Sequence, residues 1–239
     1  MPISRVILHL AALSYTSWGY QKLSTLVFAK YFGTQYGGMT QFLTILGLYA
    51  SQICMGTSIL ADLTGAKVLK KAKRVLLLIS LPVETVVSAV YWPLVLIAPF
   101  LLVPELNEDV SSFDPTVPTF IKIPIYIDLA LHAAPGATLL TDFFFFEKPY
   151  LPPQSTTGAL YATILLATGY ASWAEWCALQ NNGVFPYPFL TISPLPVRGA
   201  IYAGAAWAAL AFFRFVNRQK INYSGGIANG HADGNAKIK

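Results

Sequence analysis

Apolar stretches long enough to cross a lipid bilayer recur along this chain and constrain its fold more than any motif. About 20 predominantly apolar residues span the hydrocarbon core as a helix. Six segments approach that length, at roughly 6–29, 40–63, 75–103, 121–146, 157–179 and 197–216. Only 11% of the 239 residues are charged, while 55% are hydrophobic. An average soluble domain carries about 25% charged residues. Mean hydropathy is +0.53. The pattern predicts an all-α, polytopic transmembrane helix bundle of about six spans. Arg5 precedes an apolar run with no small-residue cleavage site after it, so that run reads as a retained first helix.

The distribution of charge suggests an orientation. Segment 64–74, TGAKVLKKAKR, holds Lys67, Lys70, Lys71, Lys73 and Arg74. Placing it in the cytosol puts Arg5, Lys148 and the C-terminal basic residues on the same side, in keeping with the positive-inside rule. Both termini are then cytosolic, and the acidic loop 104–120 faces out. The expected organisation is a bundle over 1–216 and a disordered cytosolic tail over 217–239, which is rich in Gly, Asn and Lys. Such a basic loop suits the endoplasmic reticulum and the plasma membrane equally. Cys54 and Cys177 fall inside spans, so no disulfide framework is expected. The net charge of +5 points to neither nucleic acid nor an acidic substrate.

Ionisable groups within spans are costly, at about 2.5–3.5 kcal/mol for Asp or Lys at a helix centre. Segment 126–146, YIDLALHAAPGATLLTDFFFF, carries three: Asp128, His132 and Asp142. At 100° per residue, an unbroken helix would place each carboxylate about 40° from His132, on one stripe. Pro135 falls inside it. A mid-span imidazole can act as a base, with Asp128 one turn away to hold it; polar residues in spans also bridge helices. Glu84, Asp62, Glu175 and His9 are further in-span candidates. Thr44, in QFLTILGLYASQ, is an ordinary span residue unless a base takes its proton. There is no GxSxG, HExxH or CxxC motif. His9, His132 and His231 lie at different depths, so no metal site and no cofactor are expected.

The order and spacing of these residues resemble the androgen-induced-gene family, which includes the androgen-dependent tissue-factor-pathway-inhibitor-regulating protein, and its fungal branch above all. The resemblance covers about residues 1–216. It implies a membrane threonine hydrolase of fatty acid esters of hydroxy fatty acids, with a lipid substrate. Thr44 matches the family's nucleophile and His132 its histidine. Asp128 and Asp142 match polar positions around that histidine, and NNGVFPYPFL, from Asn181 to Leu190, resembles the penultimate loop. Leu129 and Ala133 depart from the animal members, which carry His and Thr there; both changes bear on substrate choice or rate.

The implied chemistry is acyl transfer: His132 takes the Thr44 proton, Thr44 attacks the ester carbonyl, and water releases the acyl-threonine. Asp128 would orient the imidazole. Asn182 or Gln52 would serve as oxyanion donor, because amides inside a helix are already bonded. Lys122 or Arg198 would meet a substrate carboxylate. Counted from the span edges, however, Thr44 and His132 differ in depth by about 10 Å. A start of the second span near Tyr36 would remove about half of that. The competing class is a non-enzymatic membrane protein, either a lipid-binding scaffold or a proton-coupled carrier using the Asp128–His132–Asp142 stripe.

Overall fold

The computed structural model describes residues 3–102 and 123–236. The acidic loop 104–120 and Lys122 lie outside them. Among the described residues the chain is helical, with no strand. The main helices are α1 (Ile3–Leu23), α2 (Val27–Gly33), α3 (Leu43–Thr64), α4 (Lys67–Ile97), α5 (Ile125–His132), α6 (Ala134–Phe146), α7 (Ala159–Gln180), α8 (Pro188–Thr191) and α9 (Leu195–Ala236). Helices α3, α4 and α9 are each long and apolar enough to cross a membrane, and α5 with α6 makes a fourth such span if counted as one bent segment.

Helices α3 and α4 form the central hairpin, with α1 against α3, α5 and α6, and α9 against α4 and α7. The hairpin turns at Gly65, whose φ of +70° suits a residue without Cβ and whose N–H closes on the Ala61 carbonyl. Gly19 lets α1 approach α5: a Cβ there would stand 2.5 Å from the Ala130 methyl. Leu77, Leu81, Phe143, Tyr150 and Phe213 fill one half of the interior, and Phe32, Phe42, Ile45, Leu48 and Leu131 the other.

The expected fourth span is broken. Helices α5 and α6 meet at a 42° bend around Ala133, because Pro135 has no N–H to give and its ring crowds the preceding turn. The shared stripe is lost with the bend, and Asp142 sits in a separate buried charge cluster. Lys73, in what was expected to be a loop but is the start of α4, bonds both Asp142 oxygens, at 2.9 and 2.8 Å, and reaches Glu147 at 2.8 Å. His9 Nε2 lies 3.0 Å from Asp142, Arg5 Nε lies 3.2 Å from Asp62, and Arg74 reaches Glu147 at 3.1 Å. The cluster ties α1, α3, α4 and α6 at one end of the bundle.

The boundary expected at 216 falls inside α9. Asn217 is buried and clips the loop after α6, accepting from the Tyr150 N–H at 2.8 Å and donating to its carbonyl at 2.9 Å. Lys220 is buried as well and reaches the Phe144 carbonyl.

Removing one member of a buried ion pair strands its partner. Lys73→Met should therefore lower stability by about 3–5 kcal/mol. Adding Asp142→Leu should recover much of that loss. Thermal unfolding in detergent of the two variants checks both.

Candidate active site

Thr44 is the second residue of α3. Its position is set by the chain before it, which α7 anchors. Trp173 Nε1 donates to the Thr40 carbonyl at 2.9 Å, and the Tyr170 hydroxyl donates to the Gln41 carbonyl at 3.2 Å. Asn181 accepts from the Tyr36 N–H at 2.8 Å and donates to the Tyr36 carbonyl and to Gln41 Oε1, both at 3.1 Å. A 3-10 turn over Gly38–Gln41 intervenes, so the helix starts at Leu43 and not near Tyr36. Helix α2 packs over that start through Phe32, whose ring meets Phe42 edge-on at 4.8 Å.

His132 closes α5. The break after it leaves its carbonyl without the usual acceptor role in an α-helix, and α4 supplies two donors: Ser88 Oγ at 2.6 Å and Trp92 Nε1 at 3.3 Å. The imidazole lies flat on the Tyr91 ring, with centroids 3.4 Å apart and planes within 1°. Nδ1 stands 2.7 Å from Asp128 Oδ1, one turn back on α5. The Tyr91 hydroxyl lies near the same carboxylate. Asp128 and His132 are both buried. With Nδ1 held by a carboxylate, Nε2 is the nitrogen available as a base.

Thr44 and His132 line one small cavity of about 40 Å³, and Tyr91 and Tyr187 share its wall. A second cavity of about 170 Å³ runs between α3, α4, α7 and α9. Its lining includes Val83, Val87 and Ala206, and Thr44, Tyr91 and Tyr187 border it too. The expected difference in depth therefore does not keep Thr44 and His132 from a common space. A hydroxyl, an imidazole backed by a carboxylate and an apolar channel beside them are the parts needed for acyl transfer to a lipidic ester.

The remaining expected residues lie elsewhere. Asp142 belongs to the charge cluster. Asn182 is exposed in the turn after α7, with φ at 55°, and lines neither cavity; its neighbour Asn181 makes the structural contacts. Gln52 is directed at α1, where it meets Thr16 Oγ1 at 3.3 Å and Ser17 Oγ at 3.4 Å. Arg198 is held by Glu175 in a two-pronged pair at 2.7 and 2.8 Å. No group of three or more metal-ligating side chains occurs among the described residues.

Sequence reasoning missed Ser88, Tyr91, Trp92 and Tyr187. The signal for the first two was a stripe on α4: Glu84, Ser88 and Tyr91 recur at helical spacing among valines and leucines. Glu84 is wholly buried, and neither of its carboxyl oxygens has a hydrogen bond among the described residues. It packs against Gly47, one turn after Thr44, where a Cβ would stand 2.8 Å from Glu84 Oε1.

Comparison with known proteins agrees with this architecture. The chain is 32% identical over 167 residues to a UPF0641 membrane protein of Schizosaccharomyces pombe, covering 70% of this chain and 68% of that protein. It is 25% identical over 222 residues to a UPF0641 membrane protein of Saccharomyces cerevisiae, covering 88% of each. No solved structure matches. The profile of the FAR-17a/AIG1-like proteins matches residues 4–220. The chain is a membrane protein of the FAR-17a/AIG1-like family.

Proposed function

We propose that this protein is an intramembrane hydrolase of lipidic esters, such as fatty acid esters of hydroxy fatty acids, with Thr44 as nucleophile and His132 as base. One observation carries the reading. Thr44 and His132 come from helices far apart in sequence, yet they line the same cavity, and His132 has its other nitrogen 2.7 Å from a buried carboxylate. His132 Nε2 takes the Thr44 proton as the Thr44 oxygen bonds to the ester carbonyl carbon. The same proton passes to the departing alkoxide. A water that His132 deprotonates then attacks the acyl-threonine, the bond to the Thr44 oxygen breaks, and His132 returns the proton to that oxygen. Asp128 keeps the imidazole in the working tautomer and stabilises its charge while the proton is held.

The apolar cavity beside Thr44 suits an acyl chain entering from the bilayer. Chain burial is worth about 0.8 kcal/mol per methylene against water, but little against lipid, so selectivity comes from the cavity's shape. The carrier alternative needed Asp128, His132 and Asp142 on one path. The bend at Ala133 and the Lys73–Asp142 pair argue against it. The lysine-rich start of α4 suits a cytosolic face, as in the endoplasmic reticulum or plasma membrane.

Thr44→Ala should abolish ester turnover and labelling by a fluorophosphonate. It should cost only about 0.5–1.5 kcal/mol of stability, the net worth of one hydroxyl's hydrogen bonding. Turnover by Thr44→Ala at the wild-type rate, assayed on purified protein in detergent, would sink the proposal. Asp128→Asn should lower kcat by as much as about 10⁴-fold, the loss seen when a triad carboxylate is replaced by its amide. The substrate KM should hardly move, which steady-state kinetics on the same preparation checks.

A further inference from the structure

The attack by Thr44 creates a negatively charged oxygen, and the expected donors for it, Asn182 and Gln52, are directed elsewhere. Four tyrosines line the cavity that Thr44 borders: Tyr91, Tyr170, Tyr187 and Tyr202. Tyr91 lies flat on His132 beside Asp128, Tyr170 donates to the Gln41 carbonyl, and Tyr202 donates to Glu175. Tyr187 differs from all three. Its hydroxyl lies beside the Thr44 hydroxyl and within reach of the backbone N–H groups of Leu43 and Thr44.

Those amides are available because they open a helix. The first N–H groups of an α-helix have no intrahelical acceptor. In α3 the Ile45 and Leu46 amides both turn back to the Phe42 carbonyl, at 3.1 and 3.2 Å. The Leu43 and Thr44 amides are left to face the Tyr187 oxygen. A phenol whose oxygen faces amide donors is polarised toward giving its own proton. No hydrogen bond given by the Tyr187 hydroxyl occurs among the described residues; its neighbours are the Thr44 and Tyr170 hydroxyls, and Tyr170 gives its own proton to the Gln41 carbonyl, which leaves the Tyr187 proton for the Thr44 side of the cavity.

The ring is also fixed in place. It meets Phe42 edge-on at 5.4 Å and stacks on Phe189 at 5.5 Å. The loop that carries it is pinned where the Phe185 N–H donates to Thr191 Oγ1 at 3.0 Å. Tyr187 borders both cavities, and so does Thr44. A donor held rigidly beside the nucleophile costs no reorganisation when charge develops.

We propose that Tyr187 is a further catalytic residue, the hydrogen-bond donor that stabilises the tetrahedral oxyanion formed on attack by Thr44. The inference rests on the hydrolase reading. In the step it serves, the Thr44 oxygen bonds to the carbonyl carbon, the Thr44 proton moves to His132, and the carbonyl π pair becomes the oxyanion's charge. The Tyr187 O–H donates to that oxygen and keeps its proton. Collapse returns the pair to the carbonyl as the alkoxide leaves.

The test compares wild type, Tyr187→Phe, Tyr202→Phe and Thr44→Ala in detergent. Tyr187→Phe should lower kcat by about 10²–10³-fold, the usual loss of one oxyanion donor, with KM nearly unchanged. A long-chain trifluoromethyl ketone, whose adduct carries the same oxyanion, should lose affinity for Tyr187→Phe in step with kcat/KM. A non-cleavable ether analogue should bind both proteins equally. Tyr202→Phe, the same isosteric change in a hydroxyl that lines the same cavity but is directed at Glu175, should cost under about tenfold, as control for packing effects. Wild-type kcat in Tyr187→Phe, or equal losses in the two phenylalanine variants, overturns the role of Tyr187 while Thr44→Ala stays dead. Turnover surviving in Thr44→Ala overturns the hydrolase reading itself.

Discussion

A proline in the middle of a span cannot complete the helical ladder, and in this protein the candidate site is organised around that gap. Pro135 sits two residues past Ala133, where the span bends. An unbroken helix would consume the His132 carbonyl within its own backbone. Here that carbonyl is given to Ser88 and Trp92 of α4 instead. The same contact brings the imidazole onto the face of Tyr91. The break thereby fixes the backbone and the ring plane, and Asp128, on the intact turn before it, fixes the protonated nitrogen.

The two ends of the bundle divide the work. At one, Lys73, Asp142 and Glu147 with Arg5, His9, Asp62 and Arg74 hold four helices by charge where water is excluded. At the other, α2 and the turn before α3 cover an interior of aromatic and aliphatic side chains beside which Thr44, Asp128 and His132 are buried. Separating the charges from the candidate site matters electrostatically. Interactions strengthen as the local dielectric falls, and a cationic lysine close to His132 would disfavour its taking a proton.

Much of this was legible in the sequence. Helical content and membrane residence follow from apolar runs with few charges, and Asp128 with His132 follows from a four-residue spacing on one helix. The pairing of Thr44 with His132 came from resemblance, and depth counting spoke against it. Depth counting treats each span as starting at the membrane edge, whereas the shared cavity reports only that the two residues line one space. The stripe joining Asp142 to His132 failed because the periodicity assumed an unbroken helix, although Pro135 was in plain view. Asn182 was chosen over Asn181 for want of any local signal separating adjacent residues in a turn. Tyr187 was hidden for a related reason: a proline-broken loop has no period from which the direction of a side chain can be read.

The buried lysine bears on how the chain is assembled. Lys73 enters the bilayer with α4, 69 residues ahead of the aspartate it is paired with. It lies in the second turn of its helix, so its long stem lets the ammonium reach the water interface in the meantime. Each span is thus tolerable alone, and the charges leave water together only when α6 joins α1, α3 and α4. Until residues 142–147 are made, Lys73 and Arg74 on α4 lack the carboxylates that they meet in the closed bundle.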